Sequence, residues 1–153
     1  MAELEVLGKP VMNLVAVASK HPAVSVFSIA DMLGERGWHI QTQLASSVSP
    51  ATLHLNINPA NEPHIAELLA DLQSVVEILV AKGEVFEPID TSFISAALEM
   101  EGGFAQLAQN FGIGDGNLPA AFAPLNQIID LLPVRSRDIL FKEFINEILV
   151  ARG

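Results

Sequence analysis

The 153-residue sequence contains no cysteine. That absence excludes disulfides, thiolate catalysis and every zinc site built on cysteine. Positive charge is scarce as well: 8 Lys and Arg against 18 Asp and Glu give a formal net charge of -10, with a pI near 4.6. The few basic residues are scattered rather than clustered, so a phosphate backbone would be repelled and nucleic acid is not an expected partner. Long apolar runs are missing too. Asn13, Lys20, Glu77 and Lys82 interrupt the best candidates short of the ~18 residues that a membrane span needs. The stretch "MAELEVLGKP" places acidic residues where a secretion signal would carry basic ones, so the expected protein is soluble and cytoplasmic, with no membrane span.

Apolar residues are plentiful. They make up 50% of the chain against 17% charged, too apolar for disorder and rich for a solitary soluble domain. Abundant alanine, which favours helix, accounts for part of the surplus. The remainder is expected to face a partner. The length suits one ordinary domain, or one domain with a helical appendage.

The hydrophobic spacing divides the chain in two. After Pro10, "VMNLVAVAS" reads as a strand covered on both faces. Val26, Ile29, Ala30 and Leu33 fall at i, i+3, i+4 and i+7, an amphipathic helix with Ser25 or Ser28 as N-cap and Gly37 as the left-handed residue that ends it. From Trp38 the period changes to two. Trp38, Ile40, Thr42 and Leu44 alternate with His39, Gln41 and Gln43, and a second run sets Leu53, Leu55 and Ile57 against His54, Asn56 and Asn58. The turn-rich "ASSVSPA" between them makes an antiparallel hairpin. A helix follows with its stripe at Ile65, Leu68, Leu69, Leu72, Val75, Val76 and Leu79, Asn61 as N-cap, Pro63 in the first turn and Gly83 at the end.

Fold class is therefore α+β: a three-stranded, mostly antiparallel sheet in a β-α-β-β-α arrangement, order 1-3-2 through a right-handed crossover, with both helices on one face. Residues 1–90 are expected to form this α/β sandwich. Residues 91–153 read as a helical extension packed on it, with apolar sets around Phe93–Leu98, Phe104–Phe111, Phe122–Leu132 and Leu140–Leu149. The open sheet face would carry His54 and Asn56 beside His39, Gln41 and Gln43.

None of the reactive patterns is self-sufficient. His21, His39, His54 and His64 form no ligand pair on one element, and although His39 and His54 can meet across the hairpin, no carboxylate accompanies them, so no metal site is expected. "GIGDGN" lacks the lysine of a phosphate loop and the oxygen ring of a calcium loop; it reads as a turn between helices. Ser46, Ser47 and Ser49 sit in a loop without a nucleophile elbow. Glu99 and Glu101 flank a helix end and are expected to face water, and Trp38 is expected to anchor the core. No catalytic or cofactor-binding residue is assigned.

The series "LGKPVMNLVAVASKHPAVSVFSIADMLGERGWHIQTQ", then "LHL" and a long helix, resembles the C-terminal domain of pyridoxal-phosphate-dependent lyases of the group II decarboxylase superfamily, the sphingosine-1-phosphate lyase type above all. Gly8 and Pro10, Ala18 and Ser19, Gly37 and Trp38, and Leu53 and His54 carry the likeness, and "IIDLLPVRSRDILFKEFINEIL" is similar to the closing turn and last helix. The loop 45–51 departs from the pattern by its length, and residues 100–120 look like an insertion. The resemblance implies pyridoxal phosphate for a parent enzyme, a large cofactor-binding domain or subunit as partner, and possible homodimerisation. It implies no cofactor on this chain alone, whose lysines Lys9, Lys20, Lys82 and Lys142 lack the family's preceding histidine. By the same analogy His54, Gln43, Asn56 and Ser47 mark a face that shapes the substrate entrance or an interface. The alternative is an interaction or dimerisation module with a ferredoxin-like topology and no enzymatic role.

Overall fold

The computed structural model of the chain describes residues 1–111 and 121–150. These form two compact units, residues 1–87 with 122–127, and residues 88–111 and 121 with 128–150. The "GIGDGN" stretch lies outside the described residues.

The first unit holds a four-stranded sheet in the order β1-β2-β4-β3, every neighbouring pair antiparallel. Its strands are β1 (Leu4–Val6), β2 (Leu14–Ser19), β3 (Gln41–Gln43) and β4 (Thr52–Asn56). The order of the last three is the expected 1-3-2. One strand goes beyond the expected three: β1, only three residues long and cut off by Gly8 and Pro10, carries no readable alternation, yet it pairs Leu4 with Ser19 and Val6 with Val17 along the edge. β2 is also shorter than "VMNLVAVAS" suggests. Val11 and Met12 precede it and stand 93% and 78% exposed.

Alternation decides which residues are buried. Val15, Val17, Leu53 and Leu55 face the helices α1 (Val26–Gly34) and α2 (Ile65–Lys82), whose Ile29, Leu33, Leu72, Val75 and Val76 complete the core. Phe27, off the expected stripe, is buried there as well. Ser25 is the N-cap of α1: its Oγ accepts the Phe27 N–H at 3.2 Å. At the other end Gly37 takes a φ of 91°, which lets the Trp38 N–H reach back to the Leu33 carbonyl at 2.9 Å. Trp38 thereby turns onto the core, as its glycine predicts. Gly83 closes α2 in the same left-handed way, with φ 64°.

The second unit is helical. It comprises α3 (Ser92–Leu98), α4 (Gly103–Asn110), the end of α5 (Ala123–Leu131) and α6 (Val134–Val150). Ile94, Leu98, Leu107 and Leu132 form its core, with Phe104, Ile128 and Leu140 packed against them. The α5–α6 joint is closed by Arg137. Its Nε donates to the Leu132 carbonyl at 2.8 Å, its Nη2 donates to the Asp130 carbonyl, and its Nη1 lies 3.9 Å from the Asp130 carboxylate. One cation thus satisfies carbonyls that the end of α5 would leave without partners.

Gly102 and Gly103 set the α3–α4 corner. Gly102 has φ 73°, and a Cβ on Gly103 would lie 1.7 Å from the Ala97 carbonyl oxygen. No rotamer relieves a clash with backbone. Gly103→Ala is therefore expected to destabilise the chain by about 2 kcal/mol or more, whereas Gly34→Ala, which meets nothing within 4 Å, should be neutral or stabilising by up to roughly 0.5 kcal/mol through helix propensity. Denaturant midpoints of the two variants check this; equal midpoints would contradict it.

Candidate functional site

The register of β3 and β4 pairs Gln41 with His54, Thr42 with Leu53 and Gln43 with Thr52. The next pairs would be Ile40 with Leu55 and His39 with Asn56, and the alternation from Trp38 onward predicts them. They do not form, because β3 begins at Gln41. Two side chains part the strands. The Asn61 Nδ2 donates to the Asn56 carbonyl at 2.7 Å, and its Oδ1 accepts the Asn58 N–H at 2.8 Å. The sequence predicts Asn61 as the cap of the following helix; it makes no side-chain cap bond, and serves instead as a clamp on the end of β4.

On the opposite side the Trp38 indole N–H donates to the Asp71 carboxylate at 2.8 Å, drawing residue 38 towards α2. The Ile57 N–H bonds to the Asn13 carbonyl at 2.7 Å, so the alternation of the ladder turns the backbone groups of Asn56 towards β3. Its carbonyl is taken by Asn61. Its N–H, and the backbone of His39, have no hydrogen-bond partner among the described residues.

Between the parted strands lies a cleft of ≈ 360 Å³. Trp38, Ile40, Leu55, Ile57, Ile65 and Leu68 give it an apolar wall. Its polar side combines three histidines, His39, His54 and His64, with the carboxamides of Gln41, Asn56, Asn58 and Asn61. Asn56 is steadied by the Asn13 Nδ2, which donates to its Oδ1 at 2.6 Å. Of the four expected face residues, the structure brings His54 and Asn56 into the cleft. Gln43 is exposed on the same sheet face opposite Thr52, and Ser47 is exposed in the loop before β4; neither lines the cleft. Alternation also puts Asn58 on the side of His54 and Asn56, and it lines the cleft; sequence reasoning missed His64 and Asn61, which lie beyond the strand and have no period linking them to it.

His39 and His54 do share the cleft, yet no group of three or more metal-ligating side chains exists among the described residues. His21 is held in the turn after β2, where its Nδ1 accepts the Ala23 N–H at 3.2 Å. The described residues do not fit pyridoxal phosphate: Lys9, Lys20, Lys82 and Lys142 all stand exposed, and none lines the cleft.

Asp71 is the carboxylate that Trp38 engages. The Trp38 indole N–H holds its carboxyl below the usual carboxylate range, partial burial opposes that, and the Arg36 guanidinium, donating at 2.9 Å, adds to the lowering. Arg36 also reaches the Ser74 hydroxyl at 3.1 Å, so one carboxylate fixes the turn after α1 to the flank of α2.

Two comparisons with known proteins bear on this chain. Residues 94–147, from α3 into α6, match the family described as "Pyridoxal-dependent enzyme, C-terminal putative HTH domain", and the match runs across the 100–120 stretch that reads as an insertion. The chain is also similar to a sphingosine-1-phosphate lyase of Arabidopsis thaliana, 34% identical over 79 residues, which are 52% of this chain and 13% of that protein. The resemblance to the C-terminal domain of pyridoxal-phosphate-dependent lyases is borne out by both.

A carboxyl with a depressed folded pKa contributes stability that is fully present above its unfolded pKa and is lost as pH falls through the folded value. Wild type should therefore exceed Asp71→Asn in melting temperature by a constant margin above about pH 5, and the margin should shrink below about pH 4, where free aspartate titrates. A margin that stays flat down to pH 2 would contradict the Trp38–Asp71–Arg36 arrangement.

Proposed function

We propose that this chain acts as the C-terminal domain of a pyridoxal-phosphate-dependent carbon–carbon lyase or decarboxylase of the sphingosine-1-phosphate lyase type, noncatalytic alone and helping to shape the substrate entrance of the whole enzyme. The observation that carries the reading is the family match over residues 94–147. The 13% coverage of the lyase relative supports it, since that protein has ample length for a large cofactor-binding domain. So does the exposure of the lysines, for a Schiff-base lysine requires a rigid, enclosed setting with donors for the phosphate. In this reading the partner is that large domain or subunit. Pyridoxal phosphate belongs to it, and His54 and Asn56 lie on the face offered to the entrance.

The helix-turn-helix wording of the family description raises a nucleic-acid role, and charge opposes it. Within residues 94–147 the basic side chains are Arg135, Arg137 and Lys142, outnumbered by acidic ones. Arg137 is committed to the end of α5, and Arg135 lies 3.3 Å from the Glu99 carboxylate. No basic face is left among the described residues to neutralise phosphates. No described helix is long and apolar enough to cross a membrane, and the reading places the domain in the cytoplasm.

A second reading, an interaction or dimerisation module, has one observation in its favour. Val134, Phe141 and Ile145 recur at i, i+7 and i+11 on α6 and are 68%, 43% and 54% exposed, an apolar stripe suited to a second copy. Two measurements separate the readings. The purified chain mixed with pyridoxal phosphate should develop no stoichiometric visible absorbance band of a lysine-bound cofactor, and should sediment as a monomer or weakly associating species. A stoichiometric band would overturn the noncatalytic assignment, and a tight symmetric dimer would favour the module.

A further inference from the structure

We propose that the cleft between the parted ends of β3 and β4 is a binding site for a small organic monocarboxylate with a compact apolar body. The site goes beyond the domain reading and does not depend on it, since every lining residue lies in the first unit.

Charge comes first. The chain has a net charge of -10, yet no Asp or Glu is among the described residues lining this cleft. The polar groups that do line it each carry an N–H donor beside an acceptor, and so can turn a donor to an anion: the imidazoles of His39, His54 and His64 and the carboxamides of Gln41 and Asn56. To these the parted ladder adds the Asn56 N–H, which has no strand partner beside it, while the carbonyl of the same residue is taken by Asn61. An acceptor oxygen placed there would complete the ladder in place of the missing strand.

Chemistry of the anion follows from what is absent. No Lys or Arg is among the described residues that line the cleft, so hydrogen-bond donors rather than fixed cations would receive an anion. A single negative charge matches that supply. A doubly charged phosphate monoester would be under-neutralised, whereas a carboxylate presents two acceptor oxygens at one charge. The remaining wall, Trp38, Ile40, Leu55, Ile57, Ile65 and Leu68, specifies the body: apolar, and small enough for ≈ 360 Å³, the lower end of the range of small-molecule sites.

Trp38 is the chain's single tryptophan and lines the cleft, so its fluorescence reports occupancy directly. Hexanoate titrated into the intact chain at pH 6 should give a saturable change. Hexanol and hexyl phosphate should each bind at least ten-fold more weakly. His54→Gln and His39→Gln should each lose about five-fold while keeping the wild-type melting curve. Equal binding of hexanol and hexanoate, a preference for hexyl phosphate, or no saturable change would overturn the proposal. Because the isolated chain is used without pyridoxal phosphate, such a failure leaves the domain reading untouched.

Discussion

One hydrogen bond organises much of the first unit: the Trp38 indole N–H to the Asp71 carboxylate, 2.8 Å. It joins the residue that follows the α1 turn to the side of α2, and the Arg36 guanidinium on the same carboxylate makes the joint charge-assisted. Gly37 makes this geometry accessible by taking a φ closed to most residues, 91°. A residue pulled towards α2 cannot also lie in the ladder beside β4. The cleft is thus a consequence of how a helix is connected to an edge strand, and Asn61 fixes it from the other side by occupying the carbonyl of Asn56.

The split between local rules and side-chain detail explains what the sequence could disclose. Period-two spacing placed Leu53 and Leu55 on the core face and His54 on the other, and right-handed crossover logic gave the order of β2, β4 and β3. Gly37, Gly83 and Ser25 were readable because each acts within a few residues of itself. β1 was not readable, since a strand of three residues offers no period and owes its existence to the β2 edge. The early end of β3 was hidden for a different reason: Trp38 continues the apolar alternation, and neither its bond to a residue 33 positions away nor the Asn61 bond to the Asn56 carbonyl is encoded in spacing.

The candidate site divides along the same line. His54 and Asn56 could be assigned to one face from alternation, and both line the cleft. Gln43 shares that face but stands too far along β3, and Ser47 belongs to the loop preceding β4. His64 and Asn61 reach the cleft only because the chain doubles back at "NPANEP", a turn whose side-chain bonds are invisible to periodicity. In the second unit the helices were legible from their apolar sets, whereas the role of Arg137, closing α5 with a side chain from α6, depends on a fold-back that no spacing encodes.

Amide hydrogen exchange tests the parting of β3 from β4 most directly, residue by residue in the intact chain. The Gln41 and His54 N–H groups, inside the ladder, should be protected, and the His39 and Asn56 N–H groups should exchange at least a hundred-fold faster. Comparable protection at all four positions would mean that the strands remain paired through Trp38, that the cleft is closed, and that the pull of Asp71 on the indole does not open it.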